Sequence, residues 1–202
     1  MNFTIMFIAF EGLDGSGSST QTRLLAERLE GRGFAAIITK EPTIDTPTGR
    51  IIREVLQHKW QASPEGLQLL FSADRAEHLK NTVEPALANG QVVITDRYFF
   101  STLAYGALAV EMDWLKELSR FFRVPDITFL FKLDPEICLQ RIRGRGSEFE
   151  LFEKHEKLKK IRENYEKIKD DYPAIHLIDA SGSIEEVSDA IWKVVGEKFL
   201  TK

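Results

Sequence analysis

The strongest constraint on this chain is a passage near its start from an apolar run into a glycine-rich loop and then a helix. Ile5–Phe10 has the length and composition of a buried strand, and Glu11-Gly12-Leu13-Asp14-Gly15-Ser16-Gly17-Ser18-Ser19-Thr20 follows it directly. The loop fits the pattern G-x-x-x-x-G-K-[ST] at Gly12, Gly17 and Ser19, but Ser18 stands where the pattern has lysine. In such a context backbone N–H groups from about Gly15 to Thr20 converge on phosphate oxygens, helped by the positive end of the following helix. Ser19 would set a hydroxyl on Mg²⁺. Ser18 brings no charge to the β- and γ-phosphates, so that stabilisation comes from elsewhere or is weaker. A plain strand–helix turn and a nucleotide site without catalysis are the alternatives that the loop leaves open.

Beyond the loop, short apolar runs alternate with longer segments of helical period, the pattern of a parallel sheet covered by helices. The candidate strands are Thr4–Phe10, Ala35–Thr39, Val92–Thr95, Ile127–Lys132 and Ile175–Ile178, all read as buried on both faces. Candidate helices are Ser19–Gly31, ending at glycine, and Ser63–Ala88, a single long helix opened by a Ser-Pro cap. Pro135–Arg143, the highly charged Glu150–Asp171 and Ser183–Phe199 complete the set, the last with Ser183 and Glu186 spaced as a capping box. Neither a repeat nor a linker interrupts this order, so one α/β unit over residues 1–202 is expected. The lysines of 154–160 are interleaved with glutamates and read as a solvated helix face.

Composition narrows the partners. A net charge of −4 over 202 residues argues against binding a nucleic-acid polymer. The one cysteine, Cys138, excludes an intramolecular disulfide and a cysteine-rich metal site, as suits a reducing cytosol. The apolar start has no basic flank and runs straight into the loop, so it reads as a strand and not a signal peptide. No apolar run approaches the ~20 residues that span a bilayer. A soluble, cytoplasmic protein is expected.

Phe10-Glu11-Gly12-Leu13-Asp14-Gly15, Lys40-Glu41-Pro42, Leu70-Phe71-Ser72-Ala73-Asp74-Arg75-Ala76-Glu77-His78, Asp96-Arg97-Tyr98 and Ser101-Thr102-Leu103-Ala104-Tyr105 occur in that order. With these segments the chain resembles the thymidylate kinase family of P-loop nucleoside-monophosphate kinases over nearly its whole length. The resemblance implies a P-loop NTPase fold with a five-stranded parallel sheet, a short lid, Mg²⁺ dependence and a frequently dimeric assembly. It also implies transfer of the γ-phosphoryl group of ATP to dTMP, giving dTDP and ADP for dTTP synthesis. Another deoxynucleotide or deoxynucleoside kinase, or a catalytically weak nucleotide-binding regulator, stands as the alternative.

Each matched segment has its own chemistry. Asp96 ends a strand where a carboxylate can hold the water shell of Mg²⁺, and Arg97 beside it is a fork-shaped donor for a phosphate monoester. The alternative is that both only pair with other charges. Phe71 and Arg75 are four apart on one helix face, fit either for a pyrimidine or, in the case of Phe71, for ordinary core. By resemblance Phe71 stacks on thymine and Arg75 bonds its carbonyl edge, with Asp74 and His78 at the helix surface or in support. Ser101, Thr102 and Tyr105 resemble residues lining the base and sugar pocket, where a tyrosine against the 2′ carbon selects deoxyribose. Many relatives have glutamine after this tyrosine, whereas Gly106 follows here. Asp14 resembles an acid that meets the acceptor's sugar or the phosphate-binding arginine, and Pro42 resembles part of the base pocket, with Glu41 near the metal.

Arg141-Ile142-Arg143-Gly144-Arg145-Gly146-Ser147-Glu148 has the composition of a cationic flap, placing a lid at about residues 141–152. Closure would exclude water and bring guanidinium groups onto the transferring phosphoryl; a plain exposed loop is the alternative. Arg143 or Arg145, supported by Arg141, is the expected source of the charge that Ser18 does not supply.

Overall fold

The alternation resolves into a five-stranded parallel sheet in a computed structural model, which describes residues 5–144 and 155–200. Its strands are β1 (Phe7–Gly12), β2 (Ala36–Lys40), β3 (Val92–Asp96), β4 (Ile127–Lys132) and β5 (Ile175–Asp179), in the spatial order β2-β3-β1-β4-β5. β1 is central and wholly buried, as its apolar run requires, and extends past the expected end at Phe10 to Gly12. Its Phe10 packs against Phe129 and Phe131 of β4, with ring centroids 5.2 and 5.8 Å away. The expectation of burial on both faces holds for β1, β3 and nearly all of β4, but not for β2 and β5. Those two are edge strands, so Ile38 and Leu177 are 49% and 45% exposed.

The described helices are α1 (Ser18–Glu30), α2 (Pro47–Leu56), α3 (Pro64–His78), α4 (Glu84–Ala88), α5 (Phe99–Gly106), α6 (Met112–Ser119), α7 (Pro135–Arg143), α8 (His155–Ile168) and α9 (Ile184–Leu200). Two expected caps are formed. Ser63 Oγ accepts from Gly66 N–H at 3.0 Å. Ser183 and Glu186 exchange bonds of 2.8 and 3.2 Å as a capping box.

The single helix expected over Ser63–Ala88 is a continuous run interrupted by a π-helical turn at Leu79–Val83. Pro85, at the start of α4, has no N–H to give the preceding turn, and widening that turn accommodates it. α2, α5 and α6 escaped the periodicity reading. α5 is nearly all buried, so it has no polar face to set the rhythm. Arg141 and Arg143 sit in the last turn of α7 and not in a flap, which corrects the start of the expected lid. Arg145 and the remainder of that segment to 152 lie outside the described residues, as do the first residues of the expected helix Glu150–Asp171.

Register decides where chemistry can gather. Phe10 of β1 lies opposite Asp96 of β3, and Asp96 lies opposite Lys40 of β2. The loop after β1 therefore opens at the carboxyl edge of the sheet beside Asp96 and Lys40, in the crevice where open α/β sheets bind ligands.

Candidate active site

Gly17 adopts φ +100° and turns the loop into α1, whose first amides have no intrahelical acceptor. Gly15, at φ +83°, backs directly onto α7, and a Cβ there would stand 2.5 Å from the Cys138 carbonyl oxygen. Asp14, Gly15, Gly17, Ser18, Ser19 and Thr20 line one hollow together with Lys40, Asp96 and Arg97. Gly12 and Ser16, also expected there, lie underneath. The Gly12 carbonyl accepts from Arg97 and Tyr105, and the Ser16 carbonyl accepts from Arg141 Nη1 at 3.3 Å.

Ser18 and Ser19 donate their hydroxyls to the two oxygens of Asp96 at 2.9 and 2.5 Å. Lys40 Nζ stands 3.5 Å from the same carboxylate. Burial pushes Asp96 upward, but Lys40, Arg97 and the two serine hydroxyls outweigh it and hold the carboxyl below its ordinary range. An ionised carboxylate beside a hydroxyl fits Mg²⁺, which takes one or two protein oxygens and fills its other positions with water and phosphate. Among the described residues no group of three His, Cys, Asp or Glu side chains could hold a metal by itself.

The second hollow is a cleft of about 850 Å³, including its open mouth. Asp14, Pro42, Phe71, Arg75, Arg97, Ser101, Thr102 and Tyr105, every residue expected on the acceptor side, line it. Arg97, at φ +75°, directs Nη1 to the Gly12 carbonyl and Ser101 Oγ at 3.1 and 2.9 Å. Its Nη2 reaches Asp14 and Tyr105 at 2.6 and 3.1 Å. Asp14 therefore holds Arg97, one of the two partners expected for it. The Tyr105 hydroxyl also donates to Asp14 at 3.2 Å, which ties the loop to α5.

Arg75 is 1% exposed and fixed on several sides. Its Nε donates to Glu41 at 2.7 Å and its Nη2 to Thr102 at 3.1 Å, while Tyr98 and Phe122 stack near the guanidinium. Glu41, expected near the metal, instead pairs with Arg75 and His78. Asp74 and His78 are buried, which corrects the surface reading and leaves support as their part. Asp74 accepts from Thr43, Thr46 and Thr48, which fasten the turn that starts α2.

Three residues with no assigned part in the sequence reading belong to this neighbourhood. Lys40 faces both hollows, and Gln68 lines the cleft from one turn before Phe71. Glu11, 1% exposed, accepts from Tyr98 N–H, Ser101 N–H, Ser101 Oγ and Tyr165 at 2.8, 3.2, 2.6 and 2.8 Å. Desolvation dominates its titration: despite Arg97 and these donors, its pKa is pushed up to about 7. The spacing of Gln68, Phe71 and Arg75 on one helix face was a usable signal for Gln68. Lys40 and Glu11 had no such signal, because their partners are distant in sequence.

Comparison with known proteins converges on one family. The family model for thymidylate kinase matches residues 10–191. A Thermococcus kodakarensis protein named "Probable thymidylate kinase" is 44% identical over 195 residues, 92% of this chain and 95% of its own length. One of the same name from Methanosarcina acetivorans is 40% identical over 192 residues, 91% of this chain and 92% of its own. A solved structure of thymidylate kinase from Candida albicans superposes with a TM-score of 0.82 at 25% identity, covering 98% of this chain and 94% of that one.

Proposed function

The chain belongs to the thymidylate kinase family and transfers the γ-phosphoryl group of ATP to dTMP, and we propose that transfer takes place where its two hollows meet. One observation carries the reading: Asp14, Lys40 and Arg97 line both the glycine-rich loop's hollow and the acceptor cleft. A phosphoryl group passing between the two is never far from a cation.

In this reading the backbone amides of the residues that line the loop's hollow, Gly15 and Gly17 to Thr20, hold the ATP phosphates. Ser19 and Asp96 hold Mg²⁺, which when bound neutralises charge developing on the β- and γ-oxygens. Arg97 shares its guanidinium between Asp14 and the acceptor phosphate. Phe71 stacks on the base, Arg75 meets its carbonyl edge, and Pro42, Ser101, Thr102 and Tyr105 enclose base and sugar. No general base is needed, because phosphoryl transfer depends chiefly on positioning and electrostatics.

Lys40, Arg143 and Arg145, with Arg141 bracing the loop, supply the charge that Ser18 does not. The reading extends to one catalytic unit over residues 1–202 with a closing segment that follows α7 and runs to about residue 152, acting as a cytoplasmic homodimer. A coupled ADP-release assay of ATP with dTMP, dUMP, UMP, dCMP and thymidine tests it. The highest kcat/KM is expected for dTMP, and no preference for dTMP over the other acceptors would overturn the assignment.

A further inference from the structure

Two buried polar atoms on the cleft side of α3 have no hydrogen-bond partner, Nη1 of Arg75 and Oε1 of Gln68. Gln68 is 4% exposed and lines the cleft with Phe71 and Arg75. Residues 68, 71 and 75 fall on one helix face, so ring, guanidinium and carboxamide address the same space. A buried amide left unpaired carries a full desolvation cost, and a ligand that pairs with it removes that cost.

Gly106 of α5 makes room for this side chain. A Cβ at position 106 would stand 2.9 Å from Gln68 Oε1 and 3.0 Å from its Cδ. The carboxamide thus occupies a space that any side chain at 106 would contest.

We propose that Gln68 reads the N3 edge of the acceptor's pyrimidine and sets base identity together with Arg75, an inference that rests on the dTMP reading above. Arg75 is immobilised by Glu41 and Thr102, so its free Nη1 is a fixed donor that suits a carbonyl at C4. Thymine and uracil carry N3–H beside that carbonyl, and the Gln68 carboxamide accepts from N3–H while its NH₂ can donate to a neighbouring carbonyl. Cytosine has a bare N3 and a 4-amino group. The carboxamide can rotate to suit it, but Arg75 cannot, and two donors then face each other at C4.

Steady-state kinetics of Gln68→Met and Gly106→Ala test the proposal, with melting temperature as the check on folding. Methionine keeps the length and loses the amide, and alanine at 106 displaces the amide without removing it. Both variants should raise KM for dTMP and dUMP by about 10- to 100-fold, with kcat and the KM for ATP nearly unchanged. The preference for dTMP over dCMP should shrink by about tenfold, because dTMP loses a bond that dCMP never makes in register. An unchanged KM for dTMP in two folded variants, or an equal rise in KM for ATP, overturns the proposal. Wild-type inactivity towards dTMP would instead remove its premise.

Discussion

Replacing Glu11 with glutamine isolates the energetic consequence of burying a carboxyl at the end of the central strand. Glutamine keeps the shape, accepts from the two backbone amides through Oε1, and can donate to the Ser101 and Tyr165 hydroxyls. In the wild-type protein burial pushes the Glu11 pKa from 4.5 up to about 7. A raised carboxyl pKa means that the folded state binds the proton more tightly than the unfolded state. Glu11 therefore contributes no penalty below the unfolded value, and stability falls as pH rises through the interval up to the folded value. At about 1.4 kcal/mol per pKa unit, the full penalty is about 3 kcal/mol, and most of it accrues between pH 5 and 8.5. Other titrating groups are common to both proteins and cancel in the difference. Urea unfolding of wild type and Glu11→Gln at pH 5 and 8.5 measures it: the variant's relative stability should rise by that amount at the higher pH. An equal difference at both pH values would mean that the four donors keep Glu11 ionised throughout, and the reasoning from desolvation would fail.

Gly15→Ala combines a left-handed backbone penalty of about 1–2 kcal/mol with an overlap against the Cys138 carbonyl of about 1–3 kcal/mol. Chemical denaturation should show the sum, and a loss below about 1 kcal/mol would refute the contact. Asp96→Asn should lower kcat by about 100-fold or more and shift the Mg²⁺ titration to higher concentration. Because the Asp96 pKa is lowered in the fold, the stability its ionised contacts give persists through the ordinary carboxylate range and is lost only as pH falls below it. Lys40→Ala should reduce kcat by about tenfold or more with little change in KM for dTMP. Adding Ser18→Lys to that variant should recover part of the loss, and no recovery would separate the two positions' tasks.

The sheet and the phosphate loop were largely legible in the sequence because their signals are local, whereas the acceptor cleft was legible mainly through the family resemblance. Gly12, Gly17 and Ser19 announce a phosphate loop by spacing alone, and buried β-branched runs announce parallel strands. Phe71 and Arg75 share a face through helix geometry, but geometry alone left Phe71 as ordinary core, and their place in a base pocket came from the resemblance. What escaped depended on contacts across the chain. Asp74 and His78 look like surface residues until α3 is packed against the turn before α2 and against Glu41. Glu11 looks like a loop residue until Tyr98, Ser101 and Tyr165 close around it from α5 and α8. Lys40 gains its place only when β2 is set beside β3, which puts its ammonium opposite Asp96. Short α2, with its Thr46 cap and Pro47 start, did carry a local signal. Buried α5 carried none.

With ATP and dTMP in the two hollows as proposed, the 2.6 Å pair between Asp14 and Arg97 would make the two substrates thermodynamically aware of each other. An anion arriving in either hollow competes with Asp14 for the same guanidinium, and whichever arrives first alters the field that the second one meets. By linkage the effect is reciprocal: if ATP changes the affinity for dTMP by some factor, dTMP changes the affinity for ATP by the same factor. Communication between donor and acceptor then needs no change of backbone shape, because one ion pair belongs to both hollows.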